Sequence, residues 1–209
     1  PTLSRGERER RPLSIALSRG ARECRVGVSL VNVELRPFTA DDIDQLIAWV
    51  PSAEFLLQFA GPRFQFPLTR EQLARFLENT VGEEPLHMPF AAIDAATGET
   101  IGHIQLLSID RPNRSLTIGR VLVGPSALRG RGAGGQIMRA ALRIAFEEMG
   151  MHRVDLGVFD FNAPAIACYE RVGFRREGLL RDSRRSGDHY WSLILMSILE
   201  DEWRVASGG

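Results

Sequence analysis

Two stretches of this chain bring together residue types that do chemistry. The first is RGRGAGG, Arg129 to Gly135, a glycine-rich turn carrying two arginines. Just before it lies the apolar run RVLV, Arg120 to Val123, and just after it comes a helical pattern, QIMRAALRIAFEEMG. Glycines let backbone N–H groups approach an anion closely, and a helix starting there adds the positive end of its dipole. Arg129 and Arg131 can add charge-assisted hydrogen bonds. A phosphate cradle is the sharp reading of the turn, and a flexible connector is the bland one. The second stretch is NAPAIACYERVGF, a short helix from Asn162 that carries Tyr169 and stops at Gly173.

Three anion-binding sites use such turns. Gly130, Gly132 and Gly135 satisfy the dinucleotide fingerprint G-x-G-x-x-G, with Asp155 about 20 residues later, as that fold requires. Against it, Asp155 is followed by LGVF, which continues the strand instead of ending it, and repeated βαβ units do not follow. A nucleotide P-loop needs a lysine after its last glycine. All 26 basic residues of this chain are arginine, so that site is excluded. The third site is an acyl-coenzyme A cradle, in which the turn holds a pyrophosphate.

At this point the sequence resembles the GNAT superfamily of N-acetyltransferases. The family's signature turn, Arg or Gln, two residues, Gly, one residue, then Gly or Ala, is fitted by Arg129, Gly130, Arg131, Gly132, Ala133 and Gly134. A second element, N-x-x-A-x-x-x-Y-x-x-x-G-F, is fitted by Asn162, Ala165, Tyr169, Gly173 and Phe174. The similarity covers about Val33 to Trp203. REGLLRD (Arg176 to Asp182) and the terminal EDEW resemble the Rim-type branch, which includes N-terminal acetyltransferases of ribosomal proteins.

The resemblance implies an α/β (α+β) fold, a mixed, mostly antiparallel central sheet flanked by helices. It implies an acyltransferase of EC 2.3.1 type that moves an acetyl group from acetyl-CoA to a primary amine, a protein N-terminus or a small molecule. Val121, Leu122 and Val123 would then bond the pantetheine arm, backbone amides from Arg129 to Gly134 the diphosphate, and Asn162 the cofactor. Tyr169 would give a proton to the departing thiolate, a role that suits a phenol of pKa near 10. In one respect the chain departs from the family: Thr117 stands where many members carry a glutamate base. His103, Asp110 and His189 are substitutes, as is a water chain, each with a structural reading beside it. The departure also supports an alternative, a non-catalytic acyl-CoA-binding or regulatory module on the same fold.

The elements that must position these residues follow from patterning. VNVELRPF reads as a first strand, with Val31, Val33, Leu35 and Pro37 alternating. TADDIDQLIAWV is a helix capped by Thr39, with Asp41 and Asp42 in its first turn. LTREQLARFLENTV is another, with Thr69 as cap and Gln72 at the capping-box position. These are the two short helices expected before the sheet. PFAAIDAATGETIGHIQLLSID reads as a hairpin, LTIGRVLV as the next strand with a bulge or kink at Gly119. A helix with Met138, Leu142, Ala145 and Met149 inward ends at Gly150. HRVDLGVF is a strand, and DHYWSLILMSILEDEW a long apolar strand with a charged end.

The acceptor pocket is expected between the early helices and the final hairpin, with Phe64, Phe66, Tyr190 and Trp191 as candidate walls. SLILMSIL is an apolar edge candidate that suggests a homodimer.

Composition bounds the rest. With 209 residues, 44% hydrophobic and 25% charged, the chain is one ordinary domain. Residues 1–30, rich in arginine, read as a poorly ordered extension preceding a domain over 31–205. Net charge is zero, which argues against nucleic acid or a membrane surface as partner. No apolar run reaches the length of a membrane span and no signal peptide is apparent, so a cytoplasmic location is expected. Cys24 and Cys168 form no CxxC pattern, and His87, His103, His152 and His189 have no helical ligand spacing, so no metal is expected. Cys168, about 100° from Tyr169 around its helix, reads as packing.

Overall fold

The strand patterns assemble into a single seven-stranded sheet in a computed structural model that describes residues 32–207, apart from 79, 81, 83 and 84. The arginine-rich segment 1–30 lies outside the described residues. The strands are β1 (Val33–Pro37), β2 (Met88–Asp94), β3 (Thr100–Asp110), β4 (Ser115–Val123), β5 (Arg153–Phe159), β6 (Arg175–Ser186) and β7 (His189–Leu199). Their spatial order is β1-β2-β3-β4-β5-β7-β6, and every neighbouring pair is antiparallel except β4 and β5. That parallel pair is the expected βαβ unit, joined through α4 (Ala133–Arg143). The mixed, mostly antiparallel architecture expected of the family is what the chain adopts.

Each sheet face buries its own core. Beneath α4 and α5 (Ala163–Val172) lie Ile104, Leu116, Ile118, Val154, Leu156 and Met196, packed against Ile137, Met138, Leu142 and Ile166. On the opposite face α1 (Ile43–Ala48), α2 (Ala53–Ala60) and α3 (Arg70–Glu78) cover Ala91 and Leu122 with Ile43, Leu46, Leu56 and Leu73. The early region thus holds three helices where patterning gave two. α2 begins at Ser52, whose hydroxyl accepts from the Phe55 amide at 3.1 Å, a cap signal that the proline-flanked stretch PSAEFLLQFA carries in full view.

Three further details depart from expectation. Thr69 caps α3, accepting from the Gln72 amide at 3.4 Å, but the Gln72 side chain turns away from the cap. It donates to the carbonyls of Gln65 and Pro67 and accepts from the Gln65 amide, all at 2.9–3.0 Å, and so braces the preceding loop. The charged end of the last strand is a helix, α6 (Glu200–Ser207), which docks Trp203 flat on Phe146 with ring centroids 6.0 Å apart. Finally, β7 is not an edge: it pairs with β5 on one side and β6 on the other. β6 is the edge at this end of the sheet, and its near-continuous exposure and five arginines suit a strand that faces water. The edge-strand argument for a homodimer therefore does not apply to SLILMSIL.

Candidate functional site

β4 and β5 pair over only three rungs, Ser115 with Arg153, Leu116 with Val154 and Thr117 with Asp155, and then separate. The cause lies in β4. Arg120 adopts φ +51°, in the left-handed region unusual for a side chain with Cβ. Between the Gln105–Gly119 and His103–Leu122 rungs, Arg120 and Val121 oppose the single residue Ile104. This is a β-bulge, and it bends the strand away from β5. It also reverses side-chain parity. Leu116 and Ile118 face the α4 core, whereas past the bulge Leu122 belongs to the α1–α3 core and Val121 and Val123 face α4. The kink expected at Gly119 falls one residue later.

The gap opens a cavity of about 500 Å³ that passes through the sheet. Its walls come from both faces: Tyr169, Cys168 and Asn162 of the α5 region on one, Phe55, Gln58, Phe59 and Arg120 on the other. Between them run the diverging strands, Val121 to Val123 and Leu156 to Phe159.

At one end stands the glycine turn. Gly130 (φ +75°) and Gly132 (φ +88°) both take left-handed backbone, and Gly132 is the N-cap of α4. The amides of Arg129 and Arg131 are used within the turn, on the carbonyls of Ser126 and Leu128. Those of Gly130, Gly132, Ala133, Gly134 and Gly135 have no partner among the described residues. These five amides are the ones free to meet a ligand; relative to the run from Arg129 to Gly134 read from the motif, Arg129 and Arg131 drop out and Gly135 is added. Arg129 is committed elsewhere too: its guanidinium donates to the carbonyls of Val123 (3.0 Å) and Gly124 (2.9 Å), pinning the turn to the end of β4. Arg131 points to solvent outside the cavity, and the Ala133 side chain is buried in the core.

Among the other residues singled out by sequence, Val121, Leu122, Val123, Gly130, Gly132, Gly134, Asn162 and Tyr169 all line the cavity. Asn162 caps α5, accepting from the Ala165 amide at 3.3 Å. Burial pushes the Tyr169 hydroxyl well above its ordinary pKa, so it holds its proton at neutral pH. Burial likewise raises the Cys168 thiol, whose sulfur packs beneath Gly134 and Gly135. It is a spacer between helices, not a nucleophile.

On the opposite face a hydrogen-bond chain runs from Arg120 to Gln105 to His103. Arginine has only donors, so Arg120 fixes the Gln105 oxygen towards itself and turns the Gln105 amide nitrogen to His103 Nε2, 2.8 Å away. His103 Nε2 is therefore the acceptor and the ring proton sits on Nδ1, which has no partner. The ring lies edge-on to Phe38 and Phe59 at 4.8 and 6.0 Å. Of the predicted pocket aromatics, Phe64 joins this side, over the Arg120 guanidinium. Phe66 and Tyr190 are exposed, and Trp191 is buried against Phe159 and Phe161.

The acetyltransferase (GNAT) domain profile matches residues 32–175. The chain belongs to the GNAT acetyltransferase family. It is 26% identical to the prophage-derived N-acetyltransferase YokL of Bacillus subtilis over 68% of its own length and 78% of that protein. With the L-amino acid N-acetyltransferase AaaT of Escherichia coli it shares 32% identity over 39% of its length and 50% of AaaT. In fold it is similar to the spermidine N-acetyltransferase of Vibrio cholerae solved with CoA and spermine. The TM-score is 0.72 and the identity 20%, covering 82% of this chain and 98% of that one. This is an N-acetyltransferase.

Among the described residues that line the cavity of this GNAT protein there is no carboxylate and no imidazole. Thr117, at the family's glutamate position, donates to Asp155 Oδ1 at 2.7 Å on the last rung before the strands part. His103 is no substitute base, because burial, then the Arg120 charge, hold its pKa down at about 3. Asp110 is engaged by the Asn113 side chain and amide in the β3–β4 turn. His189 accepts from the Trp191 indole at 3.0 Å at the exposed start of β7. Three contributors escaped the sequence reading: α2 with Phe55, Gln105, and Arg120. The signal for the last was an arginine opening an apolar strand directly after a glycine.

Proposed function

We propose that this protein transfers the acetyl group of acetyl-CoA to a primary amine, a protein N-terminus or a small molecule, with the donor on the α5 side and the acceptor on the α1–α3 side. The observation that carries the reading is the cavity through the β4–β5 gap, ending in five unpaired cradle amides. The residues fit the donor: anionic oxygens meet N–H groups at a helix start, and strand edges freed by the bulge suit an amide-bearing arm. Acetyl-CoA supplies an activated thioester.

The chain's own groups do the rest. The cradle orients, and apolar walls exclude water. Tyr169, kept protonated by burial, holds a proton for the leaving sulfur. With no carboxylate among the described lining residues, the amine loses its proton to water or arrives neutral, as an α-amine of pKa near 8 does in part.

That missing base also favours the second reading, an acyl-CoA-binding module without turnover. Calorimetry with acetyl-CoA together with thiol release over a panel of amines and N-terminal peptides separates the two. Binding with turnover supports the transferase. Binding without turnover supports the module, and absence of binding removes both.

A further inference from the structure

We propose that the acceptor carries an anionic group, a carboxylate, beside its amine, and that Arg120 is the specificity-determining residue that grips it. The inference rests on the transferase reading and adds the chemical class of its acceptor.

Arg120 is a half-buried cation with no counter-charge among the described residues. Among the described residues no carboxylate pairs with it, and its one hydrogen bond is to the neutral Gln105 oxygen. Its Nε is sealed from solvent and unpartnered. Its guanidinium packs against the rings of Phe64 and Phe76, at 5.7 and 5.6 Å. Such contacts return part of the lost hydration but give Nε no acceptor and leave only the Gln105 oxygen bonded to the fork. Desolvation, and after it the nearby Arg63 charge, depress its pKa to about 10.

The positive backbone φ is tolerated at the one position where the bulge turns this side chain to the acceptor side. Strain and a half-buried charge without an acidic partner among the described residues coincide at a cavity wall, where a ligand anion would supply one. A planar fork with free N–H groups matches a carboxylate in bidentate geometry.

The surrounding field agrees. Arg63 stacks on the same Phe76 ring at 5.3 Å, and among the described residues the cavity is lined by Arg120, Arg129 and Arg171 and by no acidic side chain. A polyamine, with several positive charges, would meet repulsion here, so this acceptor class differs from that of the spermidine enzymes which share the fold.

The test compares matched acceptors. L-Amino acids, their carboxamides and spermidine are assayed by thiol release with wild type, Arg120→Met and Arg120→Lys. In parallel, calorimetry in saturating CoA measures binding of N-acetyl amino acids and of their amides, which needs no turnover. The expected result is a preference of about 30-fold or more for the free carboxylate in kcat/KM and in affinity. Arg120→Met should abolish it and Arg120→Lys restore it in part, with CoA affinity and Tm close to wild type. Equal handling of carboxylate and carboxamide by wild type, or a preference for spermidine, would overturn the proposal while leaving the transferase reading intact. Loss of CoA binding by wild type would instead sink that reading.

Discussion

The two ends of the cavity are built from different material. On the α5 side the cradle is main chain: five amides, two left-handed glycines and a helix start, with the Arg129 side chain spent on holding the turn to β4. On the α1–α3 side the wall is side chain, with Arg120 aimed by a bulge, Gln105 oriented by Arg120, and phenylalanines from α2 and the segment before α3. A backbone site tolerates exchange of its side chains but not of its geometry, and a side-chain site the reverse. One end can therefore keep a common donor while the other changes its acceptor.

The largest effect should follow from breaking cradle geometry. Gly132 at φ +88° has open space around its missing Cβ, so a substitution there is a test of backbone conformation, not of packing. A valine at that position has no comfortable left-handed state, and the amides that follow it must shift. Gly132→Val should weaken acetyl-CoA binding by about 100-fold or more by calorimetry, the scale of an ångström-sized misplacement. Arg131→Ala, one residue away with its side chain outside the cavity, should change that affinity by less than about 3-fold, as for an exposed charge. Equal losses in the two variants would break the contrast. Next in size, Tyr169→Phe keeps the ring against Phe174 and removes only the hydroxyl. Its kcat should drop by about 100-fold, in the range of a lost general acid, with acetyl-CoA affinity within about 2-fold.

The same contrast explains what could be seen in advance. Backbone sites leave a sequence trace because glycine takes the required φ most readily, so RGRGAGG announced its turn and the helix that follows it. Tyr169 and Asn162 were legible because both lie in the same short motif at fixed helical spacing. Arg120 and Gln105 were not, since they come together only through a strand register and a bulge, and neither type is unusual in a strand. The α2 helix was missed for a local reason: PSAEFLLQFAGPRF sits between prolines, and its run of apolar residues lacks the clean amphipathic period of α1 and α3. β7 was taken for an edge because strand order is tertiary. Its apolar run fits an interior strand flanked by β5 and β6 equally well.

A pH series examines the acceptor side without ligand. His103 has an ordinary pKa of 6.5 that folding lowers to about 3 through burial and then the Arg120 charge. The unfolded chain therefore binds the extra proton first. Stability from this site is complete above pH 6.5 and is lost as pH falls from there towards 3. Glu177 behaves as a lowered carboxylate, held at about 2 from 4.5 by the Arg153 and then the Ser197 hydrogen bonds, and its contribution is lost only below pH 4.5. Urea denaturation between pH 7 and 5 should show a decline that His103→Gln flattens, whereas Glu177→Gln leaves the slope in that interval unchanged. A decline that begins only below pH 4.5 in wild type would show that the imidazole is not sealed as described.

The smallest expected effect bears on the one place where the contrast is mixed. Asn162 lines the donor end with a side chain, yet that side chain already caps α5 through the Ala165 amide. If capping is its whole role, Asn162→Ala costs about 1 kcal/mol of stability, a fall of roughly 2–4 °C in Tm for a chain of this size. Asn162→Ser, which can still cap, restores the Tm, and neither variant alters KM for acetyl-CoA. If the carboxamide also reaches the donor, both variants raise KM, because serine keeps the cap but not the reach. The pairing of a Tm readout with a KM readout thus decides whether the donor end is held by main chain alone or has one side chain among its ligands.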